Sequence, residues 1–271
     1  MDINPYLIAL DLDGTLLTSQ KTIDRTTASY LRKLSQHHMI VLASGRPYRS
    51  MIKYYQQLQL TTPMVCYNGA FVVNPHDKQA LEKAFEFPKD VVKKIYLDVG
   101  ENYLDNVMCE TNEDIWLLQE EHGLADFFWH KNMNMHYGPL HLTLEENPMT
   151  MILKSKERNE ESDKRIIDAV NHHPGLRVRF WGDSVYSEIY YDHISKGSAL
   201  QSLLTQYHIP LSHFIAFGDA ENDREMLTLA PHSFAMKNAI ESIKNIAKKI
   251  TRFDHNDKGI LESLKDFFND H

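Results

Sequence analysis

The sequence predicts an α/β fold: a doubly wound, mostly parallel sheet interrupted by an inserted α+β domain. Three observations carry this. Short apolar runs alternate with amphipathic stretches from residue 6 to residue 69, and the same alternation resumes near residue 196. The stretch between, from about 85 to 188, reads instead as a helix followed by strands. Strand-helix alternation implies parallel strands covered on both faces. Two alike flanks around an unlike middle imply an insertion. The expected division is residues 1–85 and 189–271 for the core and 86–188 for the insert.

The elements follow in order. YLIALD, residues 6–11, is a short run with aromatic and β-branched content, as in a buried strand. Thr22-Ile23-Asp24 caps a helix running to about residue 37, with Ile23, Tyr30, Leu31 and Leu34 on one face. MIVLAS, residues 39–44, is a second strand. Pro47 opens a second helix, where proline is tolerated, with Tyr48, Met51, Ile52, Tyr55 and Leu58 at helical spacing. MVCYNG, residues 64–69, is a third strand ending in a turn. In the middle, PKDVVKKIYLDV reads as a helix, then a polar loop region, then strands at MTMILKSK, LRVRFWG and SVYSEIYY, with a charged helix near 159–172. After residue 196 come a helical stripe (Ala199, Leu200, Leu203, Leu204, Tyr207), the strand HFIAFG, a helix through Met226 and Leu227, the strand SFAM, and a helix AIESIKNIAKKI.

The bulk numbers exclude several classes. The chain has 271 residues, 42% hydrophobic and 24% charged, enough for a packed core and unlike a disordered chain. Net charge is −8 and no basic block occurs, so no nucleic-acid partner is expected. No apolar run approaches the ~18 residues of a membrane span, and MDINPYLIAL lacks the cationic start of a secretory signal. Cys66 and Cys109 show no C-x-x-C pattern and read as free thiols in a reducing cytoplasm. The fifteen histidines, including His37-His38 and His172-His173, read as surface residues. The oligomeric state stays open.

Four polar clusters fall at predicted strand or helix ends. Asp11-Leu12-Asp13-Gly14-Thr15 sets two carboxylates after a buried strand and before a sharp turn; their repulsion is costly without a cation, and hard oxygen ligands suit Mg²⁺. Ser44-Gly45-Arg46-Pro47 joins a strand to a helix whose first N–H groups can seat an anion. Ser195-Lys196-Gly197 puts a lysine at a helix start, against the macrodipole, where a phosphate could want it. Gly218-Asp219-Ala220-Glu221-Asn222-Asp223 brackets one turn with two acids. Each also has a plainer reading, as surface acids, a serine cap, a solvated lysine and helix-capping acids, and the residues taken singly leave both open.

Together, in this order, DLDGTLL, SGR, K-G-x-A-L and GD-x-x-ND-x-x-ML resemble the four-motif set of the haloacid dehalogenase (HAD) superfamily. The insert between the second and third motifs resembles the type IIB cap of Cof-like sugar-phosphate phosphatases. The resemblance extends to Asn238–Ala247 and the later D-K-G-I. Lys237, where that group usually has glycine, reads as pointing to solvent. The resemblance implies a Rossmann-like core and an Mg²⁺-dependent phosphatase acting on a small phosphorylated metabolite. It implies Asp11 as nucleophile, Asp13 as acid and base, and Lys196 as the catalytic cation. It implies that Leu12, Ser44, Gly45, Lys196 and Asn222 hold phosphoryl oxygens. It also implies that Asp11, Asp13 (through its carbonyl) and Asp219 hold the metal, with Asp223 behind them.

Charge counting agrees. Four acids face one lysine, and unit like charges ~4 Å apart repel by about 4 kcal/mol at an effective dielectric of ~20. The insert is expected to close over the sheet top and meet the leaving group, with Phe127-Phe128-Trp129 either lining that lid or packing its core. Asn68-Gly69 either touches substrate or only makes a turn. A phosphomutase shares this chemistry. A dehalogenase has no use for the acid at Asp13, and a non-catalytic phosphometabolite sensor has no use for the full acid set.

Overall fold

A computed structural model describes residues 5–77, 83–121, 123 and 132–269. Phe127-Phe128-Trp129 lies outside the described residues. The chain divides into two compact units, Met1–Lys83 with Ile194–His271, and Ala84–His193. The second boundary falls after His193, not after residue 188, because Tyr186–Tyr191 is one strand paired along both edges.

In the first unit, β1 (Leu7–Leu10) is buried at every position, as a strand covered on both faces must be. α1 (Arg25–Leu34) starts at Asp24, whose carboxylate accepts the N–H groups of Thr26 and Thr27, and it ends on Arg32 and Lys33, the sign its dipole favours. β2 (Met39–Leu42) follows, then α2 (Tyr48–Leu58) behind Pro47. β3 (Met64–Cys66) continues the parallel pattern through an Ala43–Val65 bridge. The turn expected at the end of this strand begins at Tyr67. Tyr67–Gly69 forms a 3-10 turn, and β4 (Phe71–Val73) runs back antiparallel to β3. β5 (Lys83–Ala84) follows at the boundary of the two units.

The inserted unit contains α3 (Lys89–Val99), β6 (Leu104–Glu110), β7 (Asp114–Leu117), β8 (Asn134–Tyr137) and the single turn α4 (Leu140–Thr143). It continues with β9 (Thr150–Ser155), α5 (Glu160–Asn171), β10 (Leu176–Phe180) and β11 (Tyr186–Tyr191). Among the described residues its sheet has the order β10-β11-β9-β6-β7-β8. All pairs are antiparallel except β7 with β8. Val107, Cys109, Met151 and Leu153 on one sheet face pack with Ile95, Val99, Ile166 and Val170 of α3 and α5.

β6, β7 and β8 occupy the stretch that reads as a polar loop. Their polar residues are satisfied in place. Buried Asn106 accepts the Leu118 N–H and donates to Gln119 O and Glu121, and Lys154 bridges Asp105 and Glu121 at 2.6 and 2.8 Å.

The chain then returns with α6 (Lys196–Gln206), β12 (Phe214–Gly218), α7 (Arg224–Leu229), β13 (His232–Ala235), the turn α8 (Glu241–Lys244), β14 (Lys249–Ile250) and α9 (Gly259–Asn269). The expected helix over 239–250 is only one turn long. Lys249 and Ile250 pair with Phe234 and Ala235 instead, and the Thr251 N–H bonds Ala235 O. That pairing satisfies backbone groups that β13 would otherwise leave open at the sheet edge.

The core sheet has the order β14-β13-β12-β1-β2, all parallel. Order reverses at β1, and ligands of such sheets bind beyond the carboxyl ends of the strands at that point. Among the described residues no helix is long and apolar enough to cross a membrane.

Candidate active site

The carboxyl ends of β1, β2 and β12 and the start of α6 meet where the order reverses. Asp11 directly follows β1, and its N–H bonds Phe217 O on β12. Ser44 and Gly45 leave β2 alongside, with the Ala43 N–H on Leu10 O. Lys196 opens α6 behind Ser195, which forms a reciprocal cap with Ser198. Asp219 follows β12, and Glu221–Asp223 is a 3-10 turn leading into α7.

These segments place Lys196, fully buried, between two carboxylates. Its Nζ donates to Asp11 Oδ1 at 2.6 Å and to Asp223 Oδ1 at 2.7 Å. The other oxygen of Asp223 accepts the N–H groups of Asp219 and Ala220. Asp223 is thus bound on both oxygens, as a supporting acid would be. Carboxylate oxygens of Asp11, Asp219 and Asp223 lie within 4.8 Å of one another. Asp219 also accepts the Thr15 hydroxyl. Residue 14 has to be glycine: its φ is +77°, and a Cβ there would sit 2.2 Å from Asp219 Oδ2.

The electrostatics follow from burial. Burial, then the charge of Asp223, raises the Asp11 carboxyl well above its ordinary value against the pull of Lys196. Burial and Asp223 push Asp219 up to about 7. Burial alone would lower Lys196, but Asp11 and Asp223 hold it above the usual lysine range. Three carboxylates against one ammonium leave a surplus of negative charge on hard oxygen donors. That set fits a divalent cation, and the cluster can hold a metal ion.

Asp13 is placed differently from its neighbour. Its carboxylate is gripped by Arg46, Nε to Oδ2 at 2.6 Å and an η nitrogen to Oδ1 at 2.7 Å, and by Lys21 Nζ at 2.6 Å. Burial pushes Asp13 up, but the hydrogen bonds and charge of Arg46, then of Lys21, outweigh it and hold the carboxyl at about 2. Arg46 and Lys21 are residues that motif reading left without a role; an arginine directly after Ser44-Gly45 was the available signal.

Among the residues expected to seat the anion, Leu12 is buried with its carbonyl accepting the Leu17 N–H. Buried Ser44 accepts the Arg46 N–H on its hydroxyl. Asn222 donates to Asn68 Oδ1 at 2.9 Å. Lys237 is exposed.

A family model described as haloacid dehalogenase-like hydrolase matches residues 8–264. The chain belongs to that family. It is 36% identical over 271 residues to the Bacillus subtilis 5-amino-6-(5-phospho-D-ribitylamino)uracil phosphatase YitU, covering 99% of each chain. It is 27% identical over 255 residues to the Escherichia coli pyridoxal phosphate phosphatase YbhA, covering 88% of this chain and 90% of the other.

In fold it matches a haloacid dehalogenase-like hydrolase from Bacteroides thetaiotaomicron (TM-score 0.81, 23% identity, 97% of this chain and 100% of the other). It also matches the HAD subclass IIB sugar phosphatase BT4131 (TM-score 0.78, 18% identity, 97% and 99%). The chain is a HAD-family phosphatase, a phosphoric monoester hydrolase, with the α/β core expected of that family.

Proposed function

We propose that this phosphatase hydrolyses small phosphorylated metabolites, sugar phosphates or similar esters, through an aspartyl-phosphate on Asp11, with Mg²⁺ as cofactor. The observation that carries the reading is the Asp11–Lys196–Asp223 arrangement: a buried lysine joins the acid at the end of β1 to an acid after β12, beside Asp219.

An Asp11 oxygen attacks phosphorus as the ester P–O bond breaks, and Asp13 gives its proton to the leaving alkoxide. Asp13 then takes a proton from water. That water attacks phosphorus, the P–O bond to Asp11 breaks, and phosphate leaves with Asp11 restored. Lys196 offsets charge on Asp11 and on the phosphoryl oxygens, which Leu12, Ser44, Gly45 and Asn222 also hold.

Arg46 and Lys21 keep Asp13 ionised, the form the second step needs. For the first step Asp13 must carry a proton, so substrate binding has to loosen that grip. The Asp11 and Asp219 carboxylates and the Asp13 carbonyl would hold Mg²⁺, with Asp223 supporting them; when bound, it supplies the positive charge that lets a phosphate dianion approach these acids.

Two similarities bear on the substrate. The named activities of YitU and YbhA are on a phosphoribitylaminouracil and on pyridoxal phosphate, both small phosphate esters. We assign substrate choice to the inserted unit, and a cytoplasmic location on the two buried free thiols, Cys66 and Cys109. The test is phosphate release from a panel of sugar phosphates, pyridoxal phosphate and 5-amino-6-(5-phospho-D-ribitylamino)uracil, with Mg²⁺ or with chelator, using Asp11→Asn as the blank. Mg²⁺-dependent release is expected. No release above the blank from any ester sinks the reading.

A further inference from the structure

The turn after β3 is the point on which the segments of the anion seat converge, and its conformation is costly. Tyr67 and Asn68 both have left-handed backbones, with φ of 46° and 53°, and Gly69 follows at 105°. Consecutive non-glycine residues in that region persist only where their surroundings over-determine them. Here the surroundings are the phosphate-seat segments. The Asn68 N–H bonds Ser44 O at 3.0 Å and the Tyr67 N–H bonds Arg46 O at 3.1 Å, clamping the turn to the loop after β2. A Cβ on Gly69 would lie 2.3 Å from Ser195 O, so the turn also abuts the start of α6, which carries Lys196. A Cβ on Gly45 would lie 3.1 Å from the Asn68 amide, so that side chain lies against the Gly45 backbone. Finally, Asn68 Oδ1 accepts an amide hydrogen of Asn222.

We infer that Asn68 is a positioning residue of the phosphoryl seat, acting through Asn222; this rests on the proposed function above. An asparagine side chain has two N–H donors in a plane. Giving one to Asn68 fixes that plane, and so fixes where the second points when a phosphoryl oxygen arrives. Preorganised donors of this kind cost no reorganisation during reaction. The left-handed turn is then more than a connector: it holds one amide against Gly45 while that amide aligns Asn222.

The discriminating variant is Asn68→Gly, which suits the left-handed backbone better than asparagine does and removes the side-chain amide. Measurements are kcat and KM on the best ester, inhibition and calorimetric binding by inorganic phosphate, and the melting temperature. The inference predicts an unchanged or higher melting temperature, kcat/KM lower by about tenfold or more, and weaker phosphate binding, the scale of one misaligned hydrogen bond to a charged group. Asn68→Gly combined with Asn222→Ala should be no worse than Asn222→Ala alone, because the two act as one unit.

Activity and phosphate binding within twofold of wild type in Asn68→Gly overturn the inference, as do losses that multiply in the double variant. If wild type hydrolyses no ester yet Asn68→Gly weakens phosphate binding, the phosphatase mechanism fails and the positioning role stands. If wild type hydrolyses esters and Asn68→Gly matches it, the reverse holds.

Discussion

Lys196→Met isolates the energetic centre of the site. The lysine side chain is wholly buried, and its partners Asp11 and Asp223 are 6% and 0% exposed. Methionine nearly keeps the length and removes the charge and the two donated hydrogen bonds. Breaking a buried ion pair by removing one partner costs about 3–5 kcal/mol. Two charge-assisted hydrogen bonds at roughly 1.5–3 kcal/mol each give about 3–6 kcal/mol, which overlaps that range. Asp223 keeps its two backbone donors, so the loss belongs at the lower end, about 3 kcal/mol.

The assay is urea denaturation of wild type and variant at pH 7.5 in EDTA. The pH dependence has a definite sign. Without the ammonium, the Asp11 carboxyl, already raised by burial, shifts further above its unfolded value near ~3.9. Groups raised on folding contribute stability that is complete at low pH and lost as pH rises through the folded value. The penalty of the variant should therefore be smaller at pH 5 than at pH 8. A loss below about 1 kcal/mol, or one of the same size at both pH values, refutes the claim that Lys196 holds two buried charges.

Two further outcomes follow from the same electrostatics. With Asp219 raised to about 7 in the fold, wild type in EDTA should lose stability as pH climbs from the unfolded value near ~3.9 through about 7. Saturating Mg²⁺ or Asp219→Asn should flatten that slope in pH-stepped thermal melts, and a slope that neither changes would remove Asp219 from the metal set. Arg46→Met should free Asp13 from its depressed value of about 2. A depressed carboxyl contributes stability above its unfolded value that is lost as pH falls through the folded one. The small wild-type advantage, screened because the Asp13 side chain is 39% exposed, should be constant above pH ~5 and vanish toward pH ~2. An advantage that grows with acid contradicts the grip.

The site-bearing strands were legible because their burial is complete: β1, β2 and β12 are apolar at each position, Asp11 and Asp219 follow β1 and β12 at once, and Ser44 and Gly45 follow β2 after Ala43. Local pattern decides such elements. It fails where tertiary partners decide. β6 carries Asp105 and Asn106, which read as loop until Lys154 and the 119–121 backbone and side chains satisfy them. The stretch 239–250 has helical spacing, yet the open edge of β13 draws Lys249 and Ile250 into a strand.

Within the site, the motif order pointed to Asp11, Lys196, Asp219 and Asp223 across the length of the chain. The grip of Arg46 and Lys21 on Asp13 was not visible, because the reach of long side chains depends on the packed geometry. Nor was the left-handed backbone at Tyr67, a residue type that rarely adopts it.

The most direct test of the central claim is chemical capture of the phosphorylated enzyme. Asp13→Ala, which lacks both the acid of the first step and the base of the second, is mixed with Mg²⁺ and p-nitrophenyl phosphate, whose leaving group needs no proton, then acid-quenched, reduced with borohydride and digested. The aspartyl-phosphate account predicts homoserine at position 11 by mass spectrometry, absent without substrate and absent from Asp11→Asn. Turnover by wild type with no modification at Asp11 in the trapped variant, or with Asp11→Asn as active as wild type, would contradict it.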